Sequence, residues 1–301
     1  MTQSSSVPRL LPGIAQLAQR YDGFIIDVWG VLHNGVEPYP GVVAALRRLN
    51  DMGKRMTLLS NAPMRSETVM ERIAHIGIAP FLYQKVLTSG EEVWQALHQR
   101  PDSFYRALGR RCLWLGPDRH EGMVQGLDLE LIEAPERGAF ILNTGPDHLD
   151  DTCSAYTDLM ARAIELGMPM VCANPDLEVM QGRELIYCAG HLAHAYEQRG
   201  GTVRWHGKPY PSVYATCLEM LGGLAPGQVL AIGDSLRTDI AGASGVGIDS
   251  ALVASGIHGT ELAGLWQETA DPTAFPGIIA GLAGTGAQPN WVIPGLLWGP
   301  E

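Results

Sequence analysis

Short runs of apolar residues alternate with longer segments in which apolar positions return every three or four residues, and the alternation continues past residue 250. The runs GFIIDV (23–28), RMTLLS (55–60), QVLAIGD (228–234) and DSALVAS (249–255) read as strands buried on both faces. Between the first two, YPGVVAALRRLNDMGK places Val43, Leu46 and Leu49 at helical spacing, with Gly53 as the stop signal. Strand, helix and strand in that order predict a parallel sheet covered by helices on both faces.

A second alternating series fills the middle of the chain: RCLWLGP (111–117), GAFILNTG (138–145) and PMVCANPD (169–176). The polar, helix-prone stretch SGEEVWQALHQRPDSFYRALGR separates it from the first series. The expected fold is therefore α/β: a Rossmann-like parallel-sheet core from residues 1–86 and 191–301, interrupted by an α/β unit at residues 87–190. One continuous sheet is the alternative that the length permits. The Pro/Gly-rich tail AQPNWVIPGLLWGPE exposes two indoles, Trp291 and Trp298, unless it docks on the core or on a second subunit, and the sequence does not decide among these. This tail and the inserted unit are the candidate surfaces for a homodimer.

Composition narrows the function classes. With 21 basic and 32 acidic side chains the net charge is −11, and no basic run offsets it, so nucleic acid is not an expected partner. The five cysteines are odd in number, widely spaced and without a Cys-x-x-Cys pair, which predicts reduced, mostly buried thiols. The first residues, MTQSSSVPRLLPGIAQLAQRYDG, lack the apolar core and cleavage site of a signal peptide. No window approaches the roughly 20 apolar residues that span a bilayer. A cytoplasmic protein without membrane contact is the expectation.

Several chemistry-bearing residues fall where buried strands end or helices begin. Asp27 ends the first strand, Ser60 and Asn61 end the second, Asp234 ends the third in GDSLRTD, and Lys208 opens GKPYPSVYATCLEML. In an open α/β sheet ligands bind beyond the carboxyl ends of the strands, so these groups should converge on one crevice. Two carboxylates with water and backbone carbonyls make a hard oxygen site suited to Mg²⁺. A phosphate on that ion would accept from Ser60 Oγ and the Asn61 backbone N–H, with Lys208 neutralising its charge. The Asp27 carboxylate is then placed as a nucleophile on phosphorus.

The ordered set DVWGVLHNG, LLSNAPMRS, GKPYPSVY and GDSLRTDIAGASGVG resembles the haloacid dehalogenase superfamily of aspartyl-phosphate hydrolases. More narrowly it resembles the class IIA capped phosphatases, the group of the NagD-like nucleotidases and the pyridoxal and p-nitrophenyl phosphatases. Of the gaps between Asp27, Ser60, Lys208 and Asp234, which are 33, 148 and 26 residues, only the middle one can hold a cap. The resemblance implies an Asp27 nucleophile and Mg²⁺ held by the carboxylates of Asp27 and Asp234 and the backbone carbonyl of Trp29. Asp239 would sit beside the metal, while Ser60, Asn61 and Lys208 hold the phosphoryl group. Asn174 and Asp176, in ANPD, would lie near the substrate.

One residue departs from the family pattern. The place two after the nucleophile is usually Asp, the general acid and base, and here it is Trp29, whose indole N–H does not titrate in the working range. Three functions fit this departure. The first is a slow or selective phosphatase acting on a small phosphorylated metabolite, with another group such as His33 supplying the proton. The second is a phospho-ligand-binding sensor, and the third a hydrolase of carbon–halogen bonds. The acid-rich GDSLRTD speaks for Mg²⁺ and against the third.

Plainer roles compete for several of these residues. Asp239 would also serve as a helix N-terminal acid, Ser60 as a helix N-cap and His33 as a surface or turn histidine. Gly30 and Gly35 supply backbone freedom at positive φ in the opening turn. His191 and His194 share one helix face and read as surface or packing groups rather than a zinc site. His206 lies in or beside a strand, and GASGVG closes a helix rather than binding a dinucleotide.

Overall fold

The computed structural model describes residues 8–148, 151–181, 184–262, 264–266, 275–284 and 286–300. The chain divides into two compact units: one from Met1–Ser60, Met70–Val86 and Tyr214–Glu301, the other from Asn61–Val69 and Leu87–Val213. Along the chain, β1 (Arg9–Leu10), β2 (Gly23–Asp27), β3 (Arg55–Ser60) and β4 (Lys85–Thr88) come first. Next come β5 (Arg111–Leu115), β6 (Glu130–Ile132), β7 (Phe140–Asn143), β8 (Met170–Cys172), β9 (Glu178–Gln181), β10 (Glu184–Tyr187) and β11 (Val203–Trp205). The last three are β12 (Val229–Gly233), β13 (Asp249–Val253) and β14 (Trp291–Ile293).

The first unit is built on a seven-stranded sheet in the order β1-β14-β13-β12-β2-β3-β4. β2 and β12 lie side by side and parallel, with Ile26 level with Ile232. Every residue of both is buried, which their unbroken apolar runs require. β3 flanks β2 on the other side, with Leu59 level with Asp27. The predicted helix forms at Val42–Asp51 and buries Val42, Ala45, Leu46 and Leu49, so Val42 rather than Val43 begins its apolar stripe. Gly53, at φ +70°, ends it and lets the Lys54 amide return to the Leu49 carbonyl at 3.0 Å.

Strand ends differ slightly from the sequence reading. β2, β12 and β13 each stop before the last residues of their apolar runs, which leaves Asp234 and Ser255 in the connections. The tail docks within the first unit. Residues 291–293 form β14 between β13 and β1, Trp291 is buried, and the Ile14 and Ala15 amides donate to the Leu297 and Trp298 carbonyls at 2.9 Å each.

The second unit has a five-stranded sheet in the order β11-β8-β7-β5-β6, with all four pairings parallel, and a separate antiparallel pair, β9 and β10. That hairpin carried no turn or alternation signal strong enough to be read from the chain. All five cysteines are free, and burial pushes the Cys112 and Cys172 thiols up to about 12, which makes them inert. No helix among the described residues is long and apolar enough to cross a membrane.

The segment Arg65–Ser66 is tied to the helix Ser89–Gln99, which Thr88 caps by accepting from the Glu91 amide at 2.8 Å. Glu91 receives Arg65 Nε at 2.7 Å, the Ser66 amide at 3.1 Å and Gln95 Nε2 at 3.0 Å. Burial alone would raise its pKa, but these donors outweigh it and hold the carboxyl below the ordinary range. A carboxylate depressed in the folded state contributes stability above its unfolded pKa of about 4.3 and loses it as pH falls through the folded value. Glu91→Gln is therefore expected to cost about 1–2 kcal/mol at pH 7 in urea unfolding. The gap to wild type should narrow as the titration is carried below about pH 4.3, and a gap that stays constant across that range refutes the assignment.

Candidate active site

Three carboxylates meet at one edge of the first unit's sheet. Asp27 is the last residue of β2, and Asp234 follows β12, the adjacent parallel strand. Because Ile26 and Ile232 are level, the chain advances both acids past the sheet together. Asp239 comes from the helical turn Leu236–Ile240, which folds back over the end of β12. The three acids are buried, and each offers an oxygen within 4.8 Å of the others. Ser60 stands at the same edge, one residue beyond Leu59, which pairs with Asp27.

The close approach depends on missing side chains. A Cβ on Gly233 would overlap the Asp239 carboxyl carbon, and one on Gly30 or Gly256 would overlap the Asp234 carboxylate. Gly30 also has φ +84°, where a side chain is strained in any case. Backbone amides orient the acids: Ile257 N–H donates to Asp234 Oδ2 at 2.9 Å, and Ser235 N–H to Asp239 Oδ2 at 3.2 Å. Tyr214 Oη donates to the Asp239 and Thr238 carbonyls at 3.1 and 3.3 Å, and Gly242 makes room for its ring. Asp239 is therefore a member of the acid cluster, held by a backbone amide. It also lies in the first turn of its helical segment.

Three like charges so close together repel one another, more strongly out of water than in it. A divalent cation between them offsets that repulsion, and an all-oxygen donor set suits a hard ion of the Mg²⁺ or Ca²⁺ type. The residues present fit such an ion. The field of the cluster is also felt nearby: burial first, and the Asp234 charge second, push the Tyr39 hydroxyl above its ordinary pKa.

The turn after β2 closes on itself. Gly35, at φ +94°, donates its amide to His33 Nδ1 at 2.9 Å, and Gly30 donates to the His33 carbonyl at 3.1 Å. His33 is thus a turn residue, as expected, but not a surface one: it is 4% exposed. Burial lowers its pKa, and an Nδ1 that accepts an amide leaves the ring proton on Nε2. The Trp29 indole meets the His33 ring edge-to-face with centroids 5.5 Å apart and lies against the Cα of Gly35, where a Cβ would stand 2.6 Å from the ring. It remains 41% exposed.

In the second unit the structure brings together Asn61, Asn174, Asp176 and Lys208. Lys208 is 4% exposed. The Asn61 side chain binds its backbone on both sides, with Oδ1 accepting the Lys208 amide at 2.7 Å and Nδ2 donating to the Lys208 carbonyl at 3.2 Å. Nδ2 also donates to Asp176 Oδ1 at 3.0 Å, while Asn174 Oδ1 accepts the Asp176 amide at 2.9 Å. Sequence reasoning assigned Asn61 only a backbone donor; its side-chain role depends on a partner 147 residues away. Gly207, at φ +90°, completes the arrangement, since a Cβ there would press on Asn61 Oδ1. His191 and His194 lie on the helix Ala189–Gln198, where His191 stacks on Tyr187 at 4.0 Å and His194 Nε2 contacts Gln198 at 2.9 Å.

Residues 24–130 match a family model described as haloacid dehalogenase-like hydrolase, and residues 205–276 a second, HAD-hydrolase-like model. The chain is similar to a solved haloacid dehalogenase-like hydrolase of Brucella suis, with 30% identity and a TM-score of 0.80 over 95% of this chain and all of that one. It is 28% identical to the ribonucleotide monophosphatase NagD of Escherichia coli over 77% of this chain and 87% of that protein. It is 26% identical to the D-glycerol 3-phosphate phosphatase of Mycobacterium tuberculosis over 92% and 77% respectively.

The acid cluster makes a direct prediction. Adding Mg²⁺ or Ca²⁺ should raise the melting temperature, since an ion that binds only the folded chain stabilises it by mass action. Asp234→Ala should abolish that shift, and Gly256→Ala should weaken it by displacing the Asp234 carboxylate. Without the ion, Asp239→Asn should melt no lower than wild type, because it removes one of the repelling charges. A cation-independent melting temperature in wild type would contradict the site.

Proposed function

The chain belongs to the haloacid dehalogenase-like hydrolases, in the NagD-like group, and on that footing we propose that it hydrolyses a small phosphate monoester through an aspartyl-phosphate on Asp27. The observation that carries the reading is the buried Asp27, Asp234 and Asp239 cluster beyond the ends of two adjacent parallel strands. The similarity to named phosphatases supports it. Mg²⁺, held by these carboxylates and the Trp29 carbonyl, would supply charge neutralisation between the nucleophile and the phosphoryl group when bound.

An oxygen of Asp27 forms a bond to phosphorus while the ester P–O bond breaks, and the leaving oxygen departs with the bonding electrons. Water then attacks the same phosphorus, the aspartyl P–O bond breaks, and inorganic phosphate leaves with Asp27 restored. In this reading Ser60, Asn61 and Lys208 hold the phosphoryl oxygens. Asn174 and Asp176 contact the substrate from the inserted segment, which serves as a cap.

Trp29 decides which substrates are turned over. General acid–base assistance is typically worth about 10² to 10⁴ in rate, and the indole provides none. Charge neutralisation and positioning remain, and they carry most of phosphoryl transfer. Esters with good leaving groups therefore lose least, and alkyl phosphates, whose leaving oxygen needs a proton, lose most. The same indole favours one rival, a phospho-ligand sensor with negligible turnover.

Phosphate release from p-nitrophenyl phosphate with Mg²⁺ tests the proposal. Asp27→Asn should lower it by more than about 10³-fold, and equal rates in the two proteins would overturn the enzymatic reading. Ligand binding without phosphate release would favour the sensor. Trp29→Asp should raise the turnover of alkyl phosphates by a larger factor than that of p-nitrophenyl phosphate. Equal factors would remove this account of the indole.

A further inference from the structure

The helix Ser89–Gln99, which the chain presents as a polar separator, sends one acid into a buried polar network around the segment that carries Lys208. Glu92 has a side chain only 12% exposed, and Oε2 accepts the Gly207 amide at 3.1 Å. The same oxygen lies 3.0 Å from His206 Nδ1, whose ring reaches the Tyr105 hydroxyl through Nε2. Glu92 also takes a hydrogen bond from the Ser212 side chain. These contacts thus come from residues 206, 207 and 212, on both sides of Lys208 along the chain. Burial alone would raise the pKa of Glu92, but these partners outweigh it and hold the carboxyl below its ordinary range.

Gly207 has no room to adjust. At φ +90° it is pressed between Asn61, Ser89 and Pro175, each close enough that a Cβ would meet them at 2.6–3.0 Å. Ser89 is itself anchored, with Oγ donating to the Ala173 carbonyl at 2.5 Å. Asn61 grips the Lys208 amide and carbonyl, and Glu92 grips the residues flanking it.

We propose that Glu92 is a positioning residue for Lys208: its carboxylate staples Gly207, His206 and Ser212 and thereby fixes the backbone from which the Lys208 ammonium is presented to an anion. The inference rests on the reading of Lys208 as the cation that holds phosphate. It differs from a general stabilising role in one measurable respect, since the benefit of Glu92 to anion binding should vanish when the ammonium is gone.

The test is a double-mutant cycle on the full chain, read by calorimetric titration of inorganic phosphate in the presence of Mg²⁺. Glu92→Ala should weaken phosphate binding about tenfold, as expected for loss of a buried, charged acceptor. Glu92→Gln should weaken it less, because its amide oxygen still accepts from Gly207. In a Lys208→Met background, Glu92→Ala should change the affinity by less than about twofold. Should Glu92→Ala melt far below wild type, the cycle is run with Glu92→Gln. Unchanged affinity in the single variant, or the same fold-loss with and without the Lys208 ammonium, overturns the proposal. So does a wild-type chain that binds no phosphate. A chain that binds phosphate and shows the coupling but releases none from p-nitrophenyl phosphate sinks the phosphatase reading and leaves the positioning role standing.

Discussion

The structure of the first unit turns on the mutual repulsion of Asp27, Asp234 and Asp239, carboxylates brought within 4.8 Å of one another and out of water. Such a cluster persists only if the backbone leaves no slack for the acids to swing apart and if something cationic offsets their charge. The first condition is met by absence of bulk: Gly30, Gly233 and Gly256 each occupy a place where one more carbon would collide with an acid. It is met also by the Ile257 and Ser235 amides, each aimed at one carboxylate oxygen. The second condition gives the site its chemistry.

Everything upstream of the cluster serves to deliver it. β2 and β12 are buried along their whole length, and their parallel pairing sets Ile26 level with Ile232. With the register set, the residues that leave the sheet at its carboxyl edge are set too. The second unit handles charge in a different way. There the backbone of the buried Lys208 is held by side chains: Asn61 binds the residue itself and Glu92 its neighbour Gly207. In both units a main-chain group takes part in holding a charged residue, and main-chain groups move less than side chains and cost less entropy to keep in place.

Trp29 sits in the turn beside the acid cluster without displacing it. The indole takes the space over the turn, where Gly35 and His33 support it, and leaves the three acids in place. His33, the candidate substitute proton carrier, already uses Nδ1 to accept the Gly35 amide, and burial favours its neutral form. Its first duty in the structure is to hold the turn.

Much of this was legible in the chain itself. Short apolar runs that lack alternation, set between helix-spaced segments, read as strands buried on both faces, so the parallel sheet and the edge that carries Asp27, Ser60 and Asp234 followed from the order of residues. The family resemblance added Asp239, which the structure places in the same cluster. The rest needed the folded molecule, because it depends on pairs far apart in sequence. The burial of His33, the packing of the tail as β14, the grip of Asn61 on a lysine 147 residues away and the reach of Glu92 to Gly207 are such cases. A sequence specifies which groups can bond and which surfaces must leave water, since those properties belong to single residues and their near neighbours. Which donor meets which acceptor is decided only when the sheets and helices close the distance between them.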